Sequence, residues 1–222
     1  MRAVSLAPDV HLAVVDGDLV FLDAASDQYL CVARRHGAAV LAALAMDASC
    51  TDSHEILDAL IAERLLVEQA NPAPWAGRVA ETAQADLGRD PPSRLGAADL
   101  ARLIVAAGRV ASALRAGSPA RWFAERQARR ARRPRRSSAG REMLCECARR
   151  VDRLRPLVPR SGRCLVRSFL LLEYLRLCGA DAQWVFGVRT HPFEAHCWVE
   201  YDGIVLTDTL EHVRWFTPIL VT

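Results

Sequence analysis

The sequence predicts an α+β chain in which a small three-stranded sheet plus helices comes first and a long apolar helix followed by an antiparallel sheet closes it. Three observations carry that expectation. Short β-prone runs separated by turn signals fill residues 10–33, apolar residues recur at three- and four-residue spacing between 97 and 114, and the almost wholly apolar stretch 162–179 is followed by strand-like alternation up to residue 208.

"VHLAVVDGDLVFLDAASDQYLCVA", from Val10 to Ala33, reads as three strands joined at Asp16-Gly17 and at residues 24–27. "RHGAAVLAALAM" predicts a helix. "TDSHEILDALIAERLLVE" predicts a second, capped by Thr51 or Ser53, with Ile56, Leu57, Leu60 and Ile61 as its apolar stripe. Residues 1–70 therefore make one module. Prolines without periodicity in "QANPAPWAGR" and at Pro91-Pro92 mark 71–95 as a linker, and 96–222 is a second domain. That domain opens on a helix from Ala97 to Leu114, with Leu100, Leu103, Ile104, Ala107, Val110, Ala111 and Leu114 in helical register.

Composition narrows the function. The 222 residues are 51% hydrophobic and carry a net charge of only +3, enough apolar material for real cores and too little charge for a general polyanion binder. The basic run "RQARRARRPRRSSAGR", residues 126–141, has no interleaved aromatic residue, so it reads as a solvated helix end and loop, with no nucleic-acid partner. Seven scattered cysteines without a secretory signal read as thiols of a cytoplasmic protein. Arg167, Glu173 and Arg176 break the longest apolar run short of the roughly 20 residues that cross a bilayer, so no membrane partner is expected.

The chemistry gathers in the last sixty or so residues. Ser161 or Gly162 is positioned to cap the helix "GRCLVRSFLLLEYLRLCG", which puts Cys164 in the first turn, where free backbone amides and the helix dipole favour a thiolate. Gly179 ends the helix, and Cys178 at that end is a core thiol. "AQWVFGVRT", "AHCWVEYDG" and "IVLTD" read as strands, the first two joined by "HPFE". Alternation places His196, Trp198 and Glu200 on one face of the middle strand and Cys197, Val199 and Tyr201 on the other. A two-residue Asp202-Gly203 turn would set Asp208 opposite Cys197, on the wrong face. A three-residue loop with Gly203 in a bulge would set Asp208 across from His196, and that is the register expected. Cys164, His196 and Asp208 would then be nucleophile, general base and orienting carboxylate.

"RCLVRSFLLLEYLRLCGADAQWVFGVRTHPFEAHCWVEYDGIVLTD" resembles the C-terminal domain of lasso-peptide B proteins, transglutaminase-like cysteine peptidases. The likeness lies in Cys-Leu-x-Arg-Ser, the Gly-Val-Arg strand with Pro-Phe, and His-x-Trp-Val-Glu. The resemblance implies a transglutaminase-like, papain-like fold for the second domain, with the family's catalytic positions at Cys164, His196 and Asp208. By pattern, residues 1–70 are similar to the winged-helix-like recognition element of such systems. There the leader of a precursor peptide docks as an added strand on the third strand, beside a helix. Carried onto this chain, that implies leader contacts at Tyr29, Leu30, Cys31, Val32, Leu57 and Leu60. The implied activity is removal of the leader from the core peptide, after a penultimate threonine, before an asparagine-synthetase-like lasso cyclase closes the macrolactam. No cofactor and no metal are implied.

"LVPRSGRC" lacks the glutamine that papain-like sites place before the nucleophile, leaving the Cys164 amide and a second donor for the oxyanion. Cys197 is expected to face away from the site as a small core residue. Trp198 is expected to pack against the helix, and His191 and His212 to lie on the surface. Cys145-x-Cys147 and His196-Cys197 are each spaced so that their side chains diverge, which argues against a metal. Two other functions fit the same residues: a non-catalytic protein that binds and presents the leader, and an acyltransferase of the same Cys-His-Asp class that uses an amine in place of water.

Overall fold

Asp16 and Gly17 both take positive φ, 51° and 89°, the backbone that a two-residue hairpin needs to match the twist of its strands. After a short β1 (Val4–Leu6), that turn joins β2 (Val10–Val15) to β3 (Asp18–Asp23), and β4 (Gln28–Val32) pairs on the far side of β3. The expected three-stranded sheet is present, in the order β2-β3-β4. The computed structural model describes residues 3–45, 54–70, 73–75, 77, 83–88, 94–116, 122 and 140–222, so the expected caps Thr51 and Ser53 lie outside the described residues. Contacts divide the chain into two units, Met1–Val79 with Val188–Glu194, and Ala80–Gly187 with Ala195–Thr222.

In the first unit, α1 (Arg34–Ala45) starts where the buried Asp18 carboxylate accepts the Arg34 N–H at 2.8 Å, a capping bond supplied from a strand. The helix α2 (His54–Ala62) stops earlier than its sequence suggests. Arg64 turns left-handed at φ 60°, and Leu66–Glu68 becomes β5, antiparallel to β1. Leu66, expected on a helix, reaches the core from that strand at 1% exposure. Val4, Phe21, Val40, Leu44, Leu57 and Leu60 fill the same core, each worth about 1.5–3 kcal/mol relative to exposure.

In the second unit, β6 (Ala85–Asp86) pairs parallel with a later strand, and Ala83 beside it is buried in a core cluster. This corrects the expected linker: part of 71–95 belongs to the folded unit. The predicted helix from residue 97 is α3 (Ala97–Ala116). It is followed by α4 (Arg141–Leu154), a 3-10 turn at Arg155–Leu157, and α5 (Cys164–Leu177). α3 and α4 pack on α5. The buried Asp99 of α3 joins the three helices, accepting from Tyr174 Oη at 2.8 Å and from the Arg150 guanidinium at 3.2 Å. Paired on both sides, that buried charge escapes the cost of an isolated ion.

Then come β7 (Gln183–Arg189), β8 (Glu194–Tyr201), β9 (Ile204–Val205), α6 (Leu210–Val213) and β10 (Thr217–Val221). The sheet order is β10-β7-β8-β9-β6. α5 is apolar on nearly every side because helices cover one flank and the sheet the other, where Phe169 stacks on Trp184 at 5.6 Å. At its end Gly179 is left-handed (φ 75°) while Ala180 N–H bonds Leu175 O and Gly179 N–H bonds Arg176 O, the paired closing bonds of a Schellman cap.

Candidate active site

Cys164 is the first residue of α5. The cap is Arg163 in extended conformation with no side-chain cap bond, and Ser161, expected to cap, instead donates its hydroxyl to Arg155 O at 2.9 Å. Among the described residues no side chain caps the first-turn amides, and the helix N-terminus acts on the cysteine sulfur.

His196 stands on β8 with its side chain 11% exposed. Its ring lies 4.8 Å from His212, 5.0 Å from Phe216 and 5.9 Å from Trp198. Asp208 reaches it: His196 Nε2 is 2.6 Å from Asp208 Oδ2. The route is not the expected one. The turn after β8 has two residues, with Tyr201 paired to Ile204 and Asp202 and Gly203 at φ 50° and 75°. This corrects the predicted three-residue loop, because an Asp-Gly pair readily supplies both positive φ values of the shorter turn. That register persists as far as the bond from Leu206 N–H to Val199 O, at 2.8 Å. The chain then bends over residues 206–208, and Thr207 Oγ1 accepts the Val199 N–H at 2.9 Å. The bend gives Asp208 the shift that a bulge at the turn would have given.

Sequence reasoning missed His212. Its Nδ1 lies 3.1 Å from Asp208 Oδ2, the same oxygen that His196 engages, while Asp208 Oδ1 accepts the Thr209 N–H at 2.7 Å. The missing signal is the short helix α6, whose N-cap Thr209 accepts the His212 N–H and so turns the ring back to Asp208. His191 keeps a 77% exposed side chain yet bonds Asp18 Oδ2 at 2.8 Å.

Charges follow from these contacts. Cys164 sits at about 4: the hydrogen bond from the Cys197 thiol favours its thiolate most, burial opposes it, and His196 and the Cys197 amide add to the lowering. Burial works against a charge on His196, but its bonds to Asp208 and Cys164 prevail and raise it to about 9. Burial likewise opposes the Asp208 charge, and the bonds from His196, Thr209 and His212 hold its carboxyl below the usual range. A thiolate beside an imidazolium held by a carboxylate is the charge state of an activated cysteine.

Cys197 corrects a second expectation. It is buried at 4%, but it faces α5, where Ser168 Oγ donates to its carbonyl at 3.3 Å and its thiol bonds Cys164. Trp198 is core, as its 2% exposure shows, and it shares the face of His196 and Glu200 as expected, but the partners there are Phe216 and Val213 in place of the expected helix, its Nε1 donating to the buried Glu200 at 2.5 Å.

Among the described residues, His196, Asp208 and His212 offer donor atoms within 4.8 Å of one another, a spacing a metal ion could use. Both rings already bond one carboxylate oxygen, so the arrangement as it stands is a hydrogen-bonded relay. Cys147 turns to Met143 and Cys178. The basic run up to residue 139 lies outside the described residues.

The residues expected to meet a leader divide. Cys31 is exposed and Tyr29 and Leu30 half-buried on β4, an edge in the strand order, with the Tyr29 ring 5.6 Å from Phe193. Val32, Leu57 and Leu60 are 5%, 5% and 2% exposed and support the core, so they offer almost no surface to an added strand.

Residues 110–221 match the transglutaminase-like superfamily domain. Over 45 residues the chain is 47% identical to the microcin J25-processing protein McjB of Escherichia coli, a match covering 20% of this chain and 22% of that protein. The matched stretch thus spans less than a quarter of that relative's length. No solved structure matches the chain.

Proposed function

The chain belongs to the transglutaminase-like superfamily, and from that premise we propose that it is a cysteine peptidase that removes the leader of a lasso-peptide precursor, with Cys164, His196 and Asp208 as its catalytic residues. The observation that carries this reading is the 2.6 Å bond between His196 Nε2 and Asp208, which leaves Nδ1 as the ring nitrogen for Cys164 at the head of α5. The similarity to a microcin-processing protein supports the substrate class.

The Cys164 thiolate attacks the scissile carbonyl, and the oxyanion takes a bond from the Cys164 N–H at the helix N-terminus. The imidazolium gives its proton to the departing amine as the C–N bond breaks, leaving a thioester on Cys164. His196 then takes a proton from water, the hydroxide attacks the thioester carbonyl, and the carboxylate leaves as Cys164 regains its electron pair. Throughout, Asp208 holds the ring at Nε2. The freed core amine is what a partner cyclase would join to an acidic side chain.

β4 is the proposed docking edge for the leader. An edge strand presents unpaired backbone groups that bind an extended peptide with little demand on its sequence. The exposed Cys31 and half-buried Tyr29 and Leu30 then supply side-chain contact.

The test is intact mass of the precursor after incubation with the protein and with its Cys164→Ala form. Loss of a leader-sized fragment with the first alone supports the peptidase. Leader binding by both forms without cleavage by either supports a presenting protein, and product joined to an added amine supports an acyltransferase.

A further inference from the structure

Peptide cleavage uses one thiol at the head of α5, but two meet there. Ser168 lies one turn along the helix from Cys164, on the same face, and its hydroxyl bonds the Cys197 carbonyl at 3.3 Å in a buried setting. That bond holds the start of α5 against β8 at residue 197. The Cys197 side chain neighbours the Cys164 sulfur, each thiol changing the other's ionisation. Both cysteines are free thiols, Cys164 with partial access to solvent and Cys197 buried.

We propose that Cys164 and Cys197 form a redox-modifiable pair in which a hydroperoxide oxidises Cys164 and Cys197 closes a disulfide onto it, switching the site off reversibly. The loss of activity rests on Cys164 being the nucleophile of the proposed peptidase; the pairing of the two sulfurs does not. In the first step the Cys164 thiolate attacks a peroxide oxygen, the O–O bond breaks, and the other oxygen leaves as water or an alcohol after taking a proton. Cys164 becomes a sulfenic acid. In the second step Cys197 loses its proton and attacks the Cys164 sulfur; the S–S bond forms, the S–O bond breaks, and hydroxide leaves as water with that proton. Two thiols lose two electrons and the peroxide gains them.

The contact also orders the steps. The bond to the Cys164 sulfur is the first cause that keeps the Cys197 thiol protonated, with burial second. A sulfenic acid is neutral, so oxidation of Cys164 removes the first of these and frees Cys197 to react. A resolving thiol beside the oxidised sulfur stops oxidation before the irreversible sulfinic and sulfonic acids.

The reduced full-length chain is treated with hydrogen peroxide, alkylated and digested with trypsin. Cys164 falls in the peptide 164–167 and Cys197 in the peptide 190–214, each the sole cysteine of its fragment. The expected result is a link between these two peptides and an intact mass lower by about 2 Da, the two hydrogens lost. Dithiothreitol should restore both the mass and precursor cleavage. Cys197→Ala should instead gain oxygen at Cys164 and stay oxidised after dithiothreitol. Sulfinic acid at Cys164 of the unsubstituted chain without the link, or a link from Cys164 to another cysteine, overturns the proposal. The mass readout needs no substrate. A chain that forms the link but never cleaves the precursor keeps the thiol pair and removes the peptidase reading; one that cleaves without forming it does the reverse.

Discussion

Thr207 Oγ1 accepts the Val199 N–H at 2.9 Å, in the place where a continued β8–β9 ladder would put a backbone carbonyl. A side-chain hydroxyl closes the ladder one residue beyond its register, and the chain is free to bend and deliver Asp208 to His196. Thr207→Val removes the acceptor from a buried amide, which costs about 1–3 kcal/mol, and loosens the carboxylate. We expect a lower melting temperature and at least tenfold slower precursor cleavage, with Thr207→Ser close to the unsubstituted chain. Equal cleavage by the Val and Ser forms would show that the bend holds without this bond.

In the proposed mechanism His212 is a positioning residue, acting through Asp208 Oδ2 at 3.1 Å. His212→Phe keeps a ring beside Phe216 and Trp215 while removing the donor. One hydrogen bond to a charged group is worth about 1.5–3 kcal/mol, so kcat should fall by roughly tenfold or more with KM unchanged. His212→Asn, which returns an N–H near the Nδ1 position, should recover part of the loss. A fall in KM-dependent terms alone would place His212 in substrate binding.

How much of this was legible in the sequence depends on the distance over which each feature is decided. The Asp16-Gly17 turn, the helix from Ala97 and the left-handed Gly179 are local, fixed by residues a few positions apart, and all are present. Leu65, Leu66 and Val67 continue the apolar pattern of α2 and so read as helix, and only pairing with the distant β1 makes Leu66–Glu68 a strand. Strand alternation separates Cys197 from His196 but says nothing of α5 packing at residue 197, where Ser168 bonds the Cys197 carbonyl. His212 reads as a surface residue because a four-residue helix has no periodicity to read.

The charge pair sets a pH profile. Cys164 must be ionised, so cleavage should fail as pH drops through about 4, and His196 must be protonated, so it should fail as pH rises through about 9. Between these limits kcat/KM should be flat. Asp208 is among the groups that raise His196, so Asp208→Asn should move the upper limb to lower pH as well as slow the reaction. An upper limb that stays in place in that variant would assign it to another group.

Gly187 of β7 tests how far the walls of the site fix His196. A Cβ there would meet Trp198 Cη2 at 2.7 Å and Phe216 Cβ at 2.8 Å, closer than packed atoms tolerate, and those two side chains flank the His196 ring. Overpacking of this kind costs about 1–3 kcal/mol, which for a chain of this size lowers the melting temperature by roughly 2–4 °C per kcal/mol. If the rings yield by moving toward His196, its bond to Asp208 and its contact with Cys164 both loosen. Gly187→Ala should then slow alkylation of Cys164 by iodoacetamide at pH 6, where a thiolate with its pKa near 4 is ionised and an ordinary cysteine is not. A destabilised chain with undiminished alkylation would mean that the rings yield on the side away from His196, and that the catalytic geometry is held by Asp208 and α5 without them.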